Sequence, residues 1–560
     1  MDANTLVTRI LTLDPASSVY VVTVQVAYLY DDDFLSMTGS AITFEDPDTF
    51  LADLRNAEVV ATAINAPLAS DPVTPGEDAS DQSVALYHHV GAIEDVPLTH
   101  LVQTVARGED AHGLHENGAQ VEEHSLLDDV MPGYLQLKAG KEQTEDDAMD
   151  PPGDPFRDLE DDDPAPYTHG LDDGHVIIAG GNTLINQTAI ITSWLDAPVI
   201  SVMGDAIKLD VISQVNVMSE QNATAIVMPL ASAAISGAFL EFAATAAPAD
   251  PGAEDADVPL GLPSNWVVTR VNGDLVSYNY VNQYSFQTDH DRAEIGFGQS
   301  KTFISLGDNT IVNLAALTEI GFGYDLIMVG GAMISINWIS QTNILVDHDS
   351  ISYTGDFPTG IELGDNLLFN AANIFQVGVD SYAEMQDNFA DASDTLADGG
   401  TTLSANVAHD GLFEGTDLLR VLYIEGDLTQ INWIEQTNVL GDSDQVHLAL
   451  ENFEDATGAT LEVIGGANAL INLASITQYG TDSTVLVDGD VYDDALLYQA
   501  ELIDTDASPT GVSLPALASE AVLFLAEDML TPDCNELDTP IGPTAPEDTS
   551  SPDVMQTMLA

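Results

Sequence analysis

The sequence predicts an all-β chain, a β-solenoid (parallel β-helix-like) repeat domain with a smaller α+β segment at its N-terminal side. Three observations predict it. Five pairs, Gly204-Asp205, Gly273-Asp274, Gly330-Gly331, Gly426-Asp427 and Gly489-Asp490, are each followed nine or ten residues later by Gln214, Gln283, Gln341, Gln436 and Gln499. A sister motif alternates with them and carries Asn186, Asn313, Asn370 and Asn472 after Gly181-Asn182, Gly307-Asp308-Asn309, Gly364-Asp365-Asn366 and Gly465-Gly466. The intervening runs are short, rich in Ile, Val and Leu, and bounded by Gly, Asp and Asn, the composition of strands closed by turns.

The two best copies, Ile334–Asp349 and Leu428–Asp444, share Ile-Asn-Trp-Ile and Gln-Thr-Asn at matched positions. Along the repeat, Asn186 leads to Asp210, Asn279 to Asn313, Asn337 and Asn370 in turn, and Asn432 to Asn472. Those steps, each roughly two to four dozen positions long, predict one solenoid coil per motif. A propeller is the competing architecture, because the two-motif unit runs from Gly307 to Gly364, but that is longer than the ~40–50 residues of a blade. In stacked coils, equivalent side chains meet. Asn186, Asn279, Asn313, Asn337, Asn370, Asn432 and Asn472, with the five glutamines, are therefore read as structural amide ladders rather than ligand-binding groups. Trp338 and Trp433 share a repeat position and read as packing.

Taken in order, residues 1–141 form the N-terminal α+β segment, with a strand-like run Val19–Tyr30 and a helix-like run Asp48–Ala63. Residues 142–173 are acidic and Pro-rich and read as a linker. The repeat domain spans 174–506, with insertions at about 247–263 and 386–416 expected as surface loops. Residues 507–560 hold a short amphipathic cap helix at about 514–529 and a flexible Pro, Thr, Ser and Asp-rich tail.

Charge narrows the function. With 92 Asp and Glu against 11 Lys and Arg, the formal net charge is −81, which repels nucleic acid and anionic membranes and favours cations and saline surroundings. One cysteine, Cys534, excludes an internal disulfide framework. The N-terminus has no apolar core of a cleaved signal, and no stretch reaches the ~18 apolar residues of a membrane helix, so neither signal cleavage nor membrane insertion is expected.

Just past each glutamine motif stands an acidic pair: Asp289 and Asp291, Asp347 and Asp349, Asp442 and Asp444, Asp504 and Asp506. Oxygen ligands two residues apart at a turn can share a hard cation, which makes these eight residues candidate calcium ligands; solvated turns are the other reading. His112 and His115 offer a weaker transition-metal pair, set among glycines that oppose a helix. Catalytic residues are not assigned. The repeat domain holds only Lys208, Arg270, Arg292, Lys301 and Arg420 as cations, a poor surface for an anionic-polysaccharide lyase. No Gly-x-Ser-x-Gly, Gly-Lys-Ser/Thr or His-Glu-x-x-His motif occurs.

The segments 180–186 (Gly-Gly-Asn-Thr-Leu-Ile-Asn), 329–349 and 426–440 resemble the acidic repeat proteins of alphaproteobacteria labelled type I secretion proteins, over about residues 174–506. That resemblance implies export by an uncleaved C-terminal signal. The expected function is an extracellular, non-enzymatic structural or adhesive element that self-associates into a surface layer, filament or appendage. The alternative is a virion fibre or tailspike that binds, or hydrolyses, a cell-surface glycan.

Overall fold

The computed structural model describes residues 18–39, 42–44, 47–65, 101–132, 135, 174–220, 223–224, 232–243, 261–297, 302–307, 309–355, 361–363, 366–450, 460–465 and 467–505. The chain is mostly β and its sheets are largely parallel, which bears out the all-β class. Short runs dense in β-branched residues, closed by Gly, Asp and Asn, give five sheets of four to seven strands.

The chain visits these sheets in a fixed order. From Leu275–Asp289 in the first sheet it continues to Arg292–Gly296 in the second, Thr302–Gly307 in the third, Thr310–Gly323 in the fourth and Leu326–Val329 in the fifth, then re-enters the first as Met333–Asp347. The main motif builds the first sheet and the sister motif the fourth. A return to the same sheet and register therefore runs from Asn279 to Asn337, one full circuit of all five sheets and two motifs. The expectation of one coil per motif is corrected: the steps between successive asparagines cross between two different faces.

Most returning strands do not pair with their predecessors; in the first sheet Leu428–Asp442, which pairs with Met333–Asp347, is the exception. The order in the first sheet is Val19–Asp31, Leu275–Asp289, Leu428–Asp442, Met333–Asp347, Ala206–Glu220 and Val491–Thr505. Leu428–Asp442 thus lies between two strands that both precede it in the chain. The two best sequence copies, Met333–Asp347 and Leu428–Asp442, are direct neighbours, so Trp338 stacks on Trp433 with centroids 4.8 Å apart and planes 9° apart. Such a pair contributes about 0.5–1.5 kcal/mol beyond its buried area.

The central strands of the first sheet are covered on both faces. Its inner face packs Ile212, Val281, Ile339, Ile434 and Leu497 against Ile190, Leu240, Ile374 and Ile476 of the fourth sheet. Its outer face packs both tryptophans beneath the helix Asp48–Asn65, through Phe50, Leu54, Ala57, Val60 and Ile64. Gly441 makes room for that helix, because a Cβ there would stand 2.5 Å from Phe50 Cζ. The strand-like and helix-like runs of the N-terminal segment are thus a strand at one edge of the sheet and the helix laid across it.

Two N-terminal strands close the opposite edges. Val102–Arg107 pairs antiparallel with Val491–Thr505, and Gly113–Glu116 pairs antiparallel with Ala233–Ala243. The insertion at 386–416, expected as a surface loop, is instead folded. Its helices Asp387–Ala397 and Ala405–Ala408 bury Phe389, Leu396, Val407 and Phe413 against Leu419, Val421 and Tyr423 of the fifth sheet. Its few large apolar residues are thinly spread, yet all but the exposed Leu412 turn to one side. The linker 142–173, most of the insertion 247–263 and the cap helix at 514–529 lie outside the described residues.

Candidate metal centre

Parallel pairing in strict register sets equivalent side chains one above another. Gln499, Gln214, Gln341, Gln436 and Gln283 form one such row, each Nε2 donating to the Oε1 of the next at 2.7 to 2.9 Å and ending on Gln25. Each also donates to a carbonyl of the fourth sheet, as Gln436 does to Leu473 at 2.9 Å. Asn279, Asn432 and Asn337 run in a second row, at 3.0 and 2.9 Å, that ends on Asp210 at 2.6 Å. The sister asparagines Asn186, Asn370 and Asn472 bond one another and mesh with Asn216, Asn343 and Asn438 of the first sheet. Asn313 joins the same network through Asn186. An amide both donates and accepts, so a stack of amides satisfies itself.

At the corner between the first and second sheets the same stacking places carboxylates together. Asp31 pairs with Asp289, Asp289 with Asp442 and Asp442 with Asp347, all by register. Asp291, Asp444 and Asp349 follow two residues later. All six of the paired residues Asp289, Asp291, Asp347, Asp349, Asp442 and Asp444 are at most 2 % exposed. Carboxylate oxygens of Asp31, Asp289 and Asp291, of Asp289, Asp442 and Asp444, and of Asp347, Asp349 and Asp442 each lie within 4.8 Å of one another.

Each carboxylate is oriented by one oxygen. Asn468 Nδ2 donates to Asp442 Oδ2 at 2.7 Å, Asn366 Nδ2 to Asp347 Oδ2 at 2.6 Å, and Asn309 Nδ2 reaches Asp31 and Asp289. The second acid of each pair is held by backbone: the amide of Asp33 donates to Asp291, that of Asp291 to Asp444, and that of Asp444 to Asp349, at 2.7 to 2.9 Å. The remaining oxygens of Asp289, Asp291, Asp442 and Asp444 have no hydrogen-bond partner among the described residues. Burial, then repulsion from neighbouring carboxylates, pushes the Asp289 carboxyl up to about 7. Burial with the nearby Asp31 and Asp33 pushes Asp291 up to about 6. Asp349, Asp442 and Asp444 are pushed well above the usual carboxylate range by burial and by one another.

An unpaired buried anion is costly, so such a column is stable only if protonated or if it holds cations. These buried Asp clusters could hold metal ions, and two share Asp442 while two share Asp289. The ligands are drawn from neighbouring strands as well as from within each pair. Asp504 is not brought to the column: it faces Ser219, and Thr505 takes the acid's place opposite Glu220. Asp506 lies outside the described residues. His115 lies on a strand, its ring nitrogen 3.2 Å from the His112 carbonyl, and His112 packs edge-on to Phe242.

Sequence reasoning missed Asp31, Gln25 and the orienting asparagines. The signal was present: Gln25 precedes Asp31 by six residues and Asp33 follows by two, the spacing of Gln283, Asp289 and Asp291. Asn309, Asn366 and Asn468 each stand four residues before a sister asparagine. No family model, characterised protein or solved structure matches this chain.

Proposed function

We propose that this chain is a calcium-braced β-solenoid with interleaved coils, working outside the cell as a non-enzymatic structural or adhesive element that self-associates. The observation that carries it is the buried Asp column, in which carboxylate oxygens cluster within 4.8 Å and one oxygen each of Asp289, Asp291, Asp442 and Asp444 lacks a hydrogen-bond partner among the described residues, while the glutamine and asparagine rows beside it bond one another. Calcium suits the column because it takes six to eight oxygens at ~2.3–2.6 Å, which puts opposed ligands ~4.6–5.2 Å apart and tolerates irregular geometry. The recurring polar residues are absorbed in ladders, leaving stiffness as what the repeat supplies. Export by a type I route, with an uncleaved C-terminal signal, is supported by the resemblance of the repeat units, and the acidic surface suits saline surroundings.

The test is sedimentation velocity of the full chain in ~0.5 M salt with about 5 mM calcium, a level that fills weak extracellular-type sites, and again with chelator. A compact particle that loses compactness on chelation is expected. A particle indifferent to chelation that cleaves polysaccharide would overturn the reading in favour of a tailspike.

A further inference from the structure

The two ends of the stacked sheets differ. At one end the long sheets are closed by Val102–Arg107 and Gly113–Glu116, laid antiparallel on their outermost strands. At the other end Val19–Asp31 is an edge strand with nothing paired on its far side among the described residues. It alternates strictly, and Tyr20, Val22, Val24, Val26, Tyr28 and Tyr30 are 49 to 70 % exposed. The helix that covers the same face on later strands packs over Met333–Asp347, Ala206–Glu220 and Leu428–Asp442 and leaves this row bare.

Long, flat, apolar edges are normally blunted by Lys, Pro or a bulge, because they recruit other strands. From Ser18 to Tyr30 there is no Asp, Glu, Lys, Arg or Pro, in a chain of net charge −81. Exposed rows of this size mark interaction sites. The order of the outward residues identifies the occupant. Five of the six, Tyr20, Val22, Val24, Val26 and Tyr28, read the same in both directions about Val24, and the sixth, Tyr30, falls opposite Ser18.

We propose that this strand pairs antiparallel with the same strand of a second copy, about a two-fold axis through Val24. Tyr20 then faces the partner's Tyr28, Val22 the partner's Val26, and Val24 the partner's Val24, at the ~4.5–5.5 Å of directly opposed residues. On the inner side Gln25 faces the partner's Thr23. Gln25 is where the glutamine row stops: its Nε2 donates to the Leu314 carbonyl at 2.8 Å and, among the described residues, to no further glutamine. A two-fold contact uses one patch twice and closes, whereas head-to-tail growth would have to displace the antiparallel strands at the far end. The neutral strand is also where two highly acidic copies meet with least repulsion, so pairing strengthens with salt.

This assignment rests on the self-association named above, and one experiment separates the two. Sedimentation velocity of the full chain with calcium in ~0.5 M salt is expected to show a dimer whose fraction falls at low salt. Val24→Lys sets two ammonium groups face to face on the axis and is expected to weaken dimerisation at least ~10-fold, with thermal unfolding unchanged at concentrations low enough that both chains are monomeric, because the site is exposed. Val24→Cys, in a Cys534→Ser background, is expected to oxidise to a covalent dimer, and Val19→Cys is not. A wild-type chain that stays monomeric at about 50 μM would overturn both this assignment and self-association. A wild-type dimer untouched by Val24→Lys would overturn this surface alone. A monomer whose tyrosine fluorescence shifts on adding oligosaccharide would reassign the row to a glycan.

Discussion

The amide rows and the Asp column are built by the same device and reach opposite states. In both, parallel strands in register put identical side chains at successive levels. Asn438 is fully buried and gives its two amide hydrogens to three acceptors, Asn343, Asn472 and the Ile471 carbonyl. Asp442, four residues on and equally buried, receives one hydrogen bond at Oδ2 and none at Oδ1 among the described residues. Register stacking is neutral with respect to sequence; the donor and acceptor balance of the stacked group decides whether the stack is self-sufficient or needs something from solution.

The largest effect sharpening this contrast is a change of sign with pH. In chelator and ~0.5 M salt, Asp289 and Asp291 are easier to protonate folded than unfolded, so the stability they contribute is fully present below the unfolded value near pH ~4 and is lost progressively as pH rises to about 6 for Asp291 and about 7 for Asp289. Thermal unfolding should show the melting temperature falling between pH 5 and 8. With calcium at 100 times its dissociation constant the slope should reverse, since each filled site adds about 2.7 kcal/mol and deprotonated ligands bind best. A melting temperature that rises with pH in chelator would break the account of the column.

Asp442→Asn comes next. Because Asp442 belongs to two of the three clusters, the variant should lose most of the calcium-induced rise in melting temperature. In chelator at pH 8 it should be more stable than the wild type, because a buried charge is gone. Opposite signs in the two media are the signature, and a loss of stability in both would mean that the aspartate is needed for packing alone.

The reverse exchange, Asn438→Asp, brings the column's problem into the amide network. It removes both hydrogens donated to Asn343, Asn472 and Ile471 and buries an acceptor among acceptors, which should cost about 3 kcal/mol in chemical denaturation at pH 7. The cost should shrink at pH 4, where the acid protonates.

Much of this contrast is legible in the sequence, and what is hidden has a physical cause. Repetition of Gln, Asn and paired Asp reveals stacking, because only identical neighbours reward identity at a fixed position. The order of the stack is not legible: Leu428–Asp442 lies between Leu275–Asp289 and Met333–Asp347 although it follows both, and no local property of a strand records which non-consecutive strand it will meet. Hence Asn279 to Asn313 reads as one coil when it is a crossing between two faces. Asp504 shows the other limit. Its spacing copies the motif to within one residue, yet a one-residue slip sends a strand side chain to the opposite face, and Thr505 takes the register position. Phe389, Leu396 and Phe413 were diluted by acidic and small residues, and their common face emerges only once the helix is wound.

Asp210 is where one device turns into the other. It terminates the row of Asn279, Asn432 and Asn337, accepts from Asn337 at 2.6 Å, and faces Ala495 on the next strand, which offers nothing to its Oδ2. Burial raises its carboxyl above the usual range, against the opposing pull of Lys208. An acid ends such a row better than an amide, because the last member needs to accept and has no neighbour to receive a donated hydrogen; the same burial makes its charge unwelcome. Asp210→Asn exchanges an unpaired oxygen for an unpaired amide and removes the charge, so the two changes nearly cancel and the net shift at pH 7 should be about 1 kcal/mol or less. The pH series is therefore the decisive readout. The wild type should lose this contribution as pH rises and the variant should not, so Asp210→Asn should gain on the wild type from pH 5 to 8. A difference that stays flat across that range would mean that Lys208 keeps Asp210 ionised throughout, and that the row ends on an ion pair.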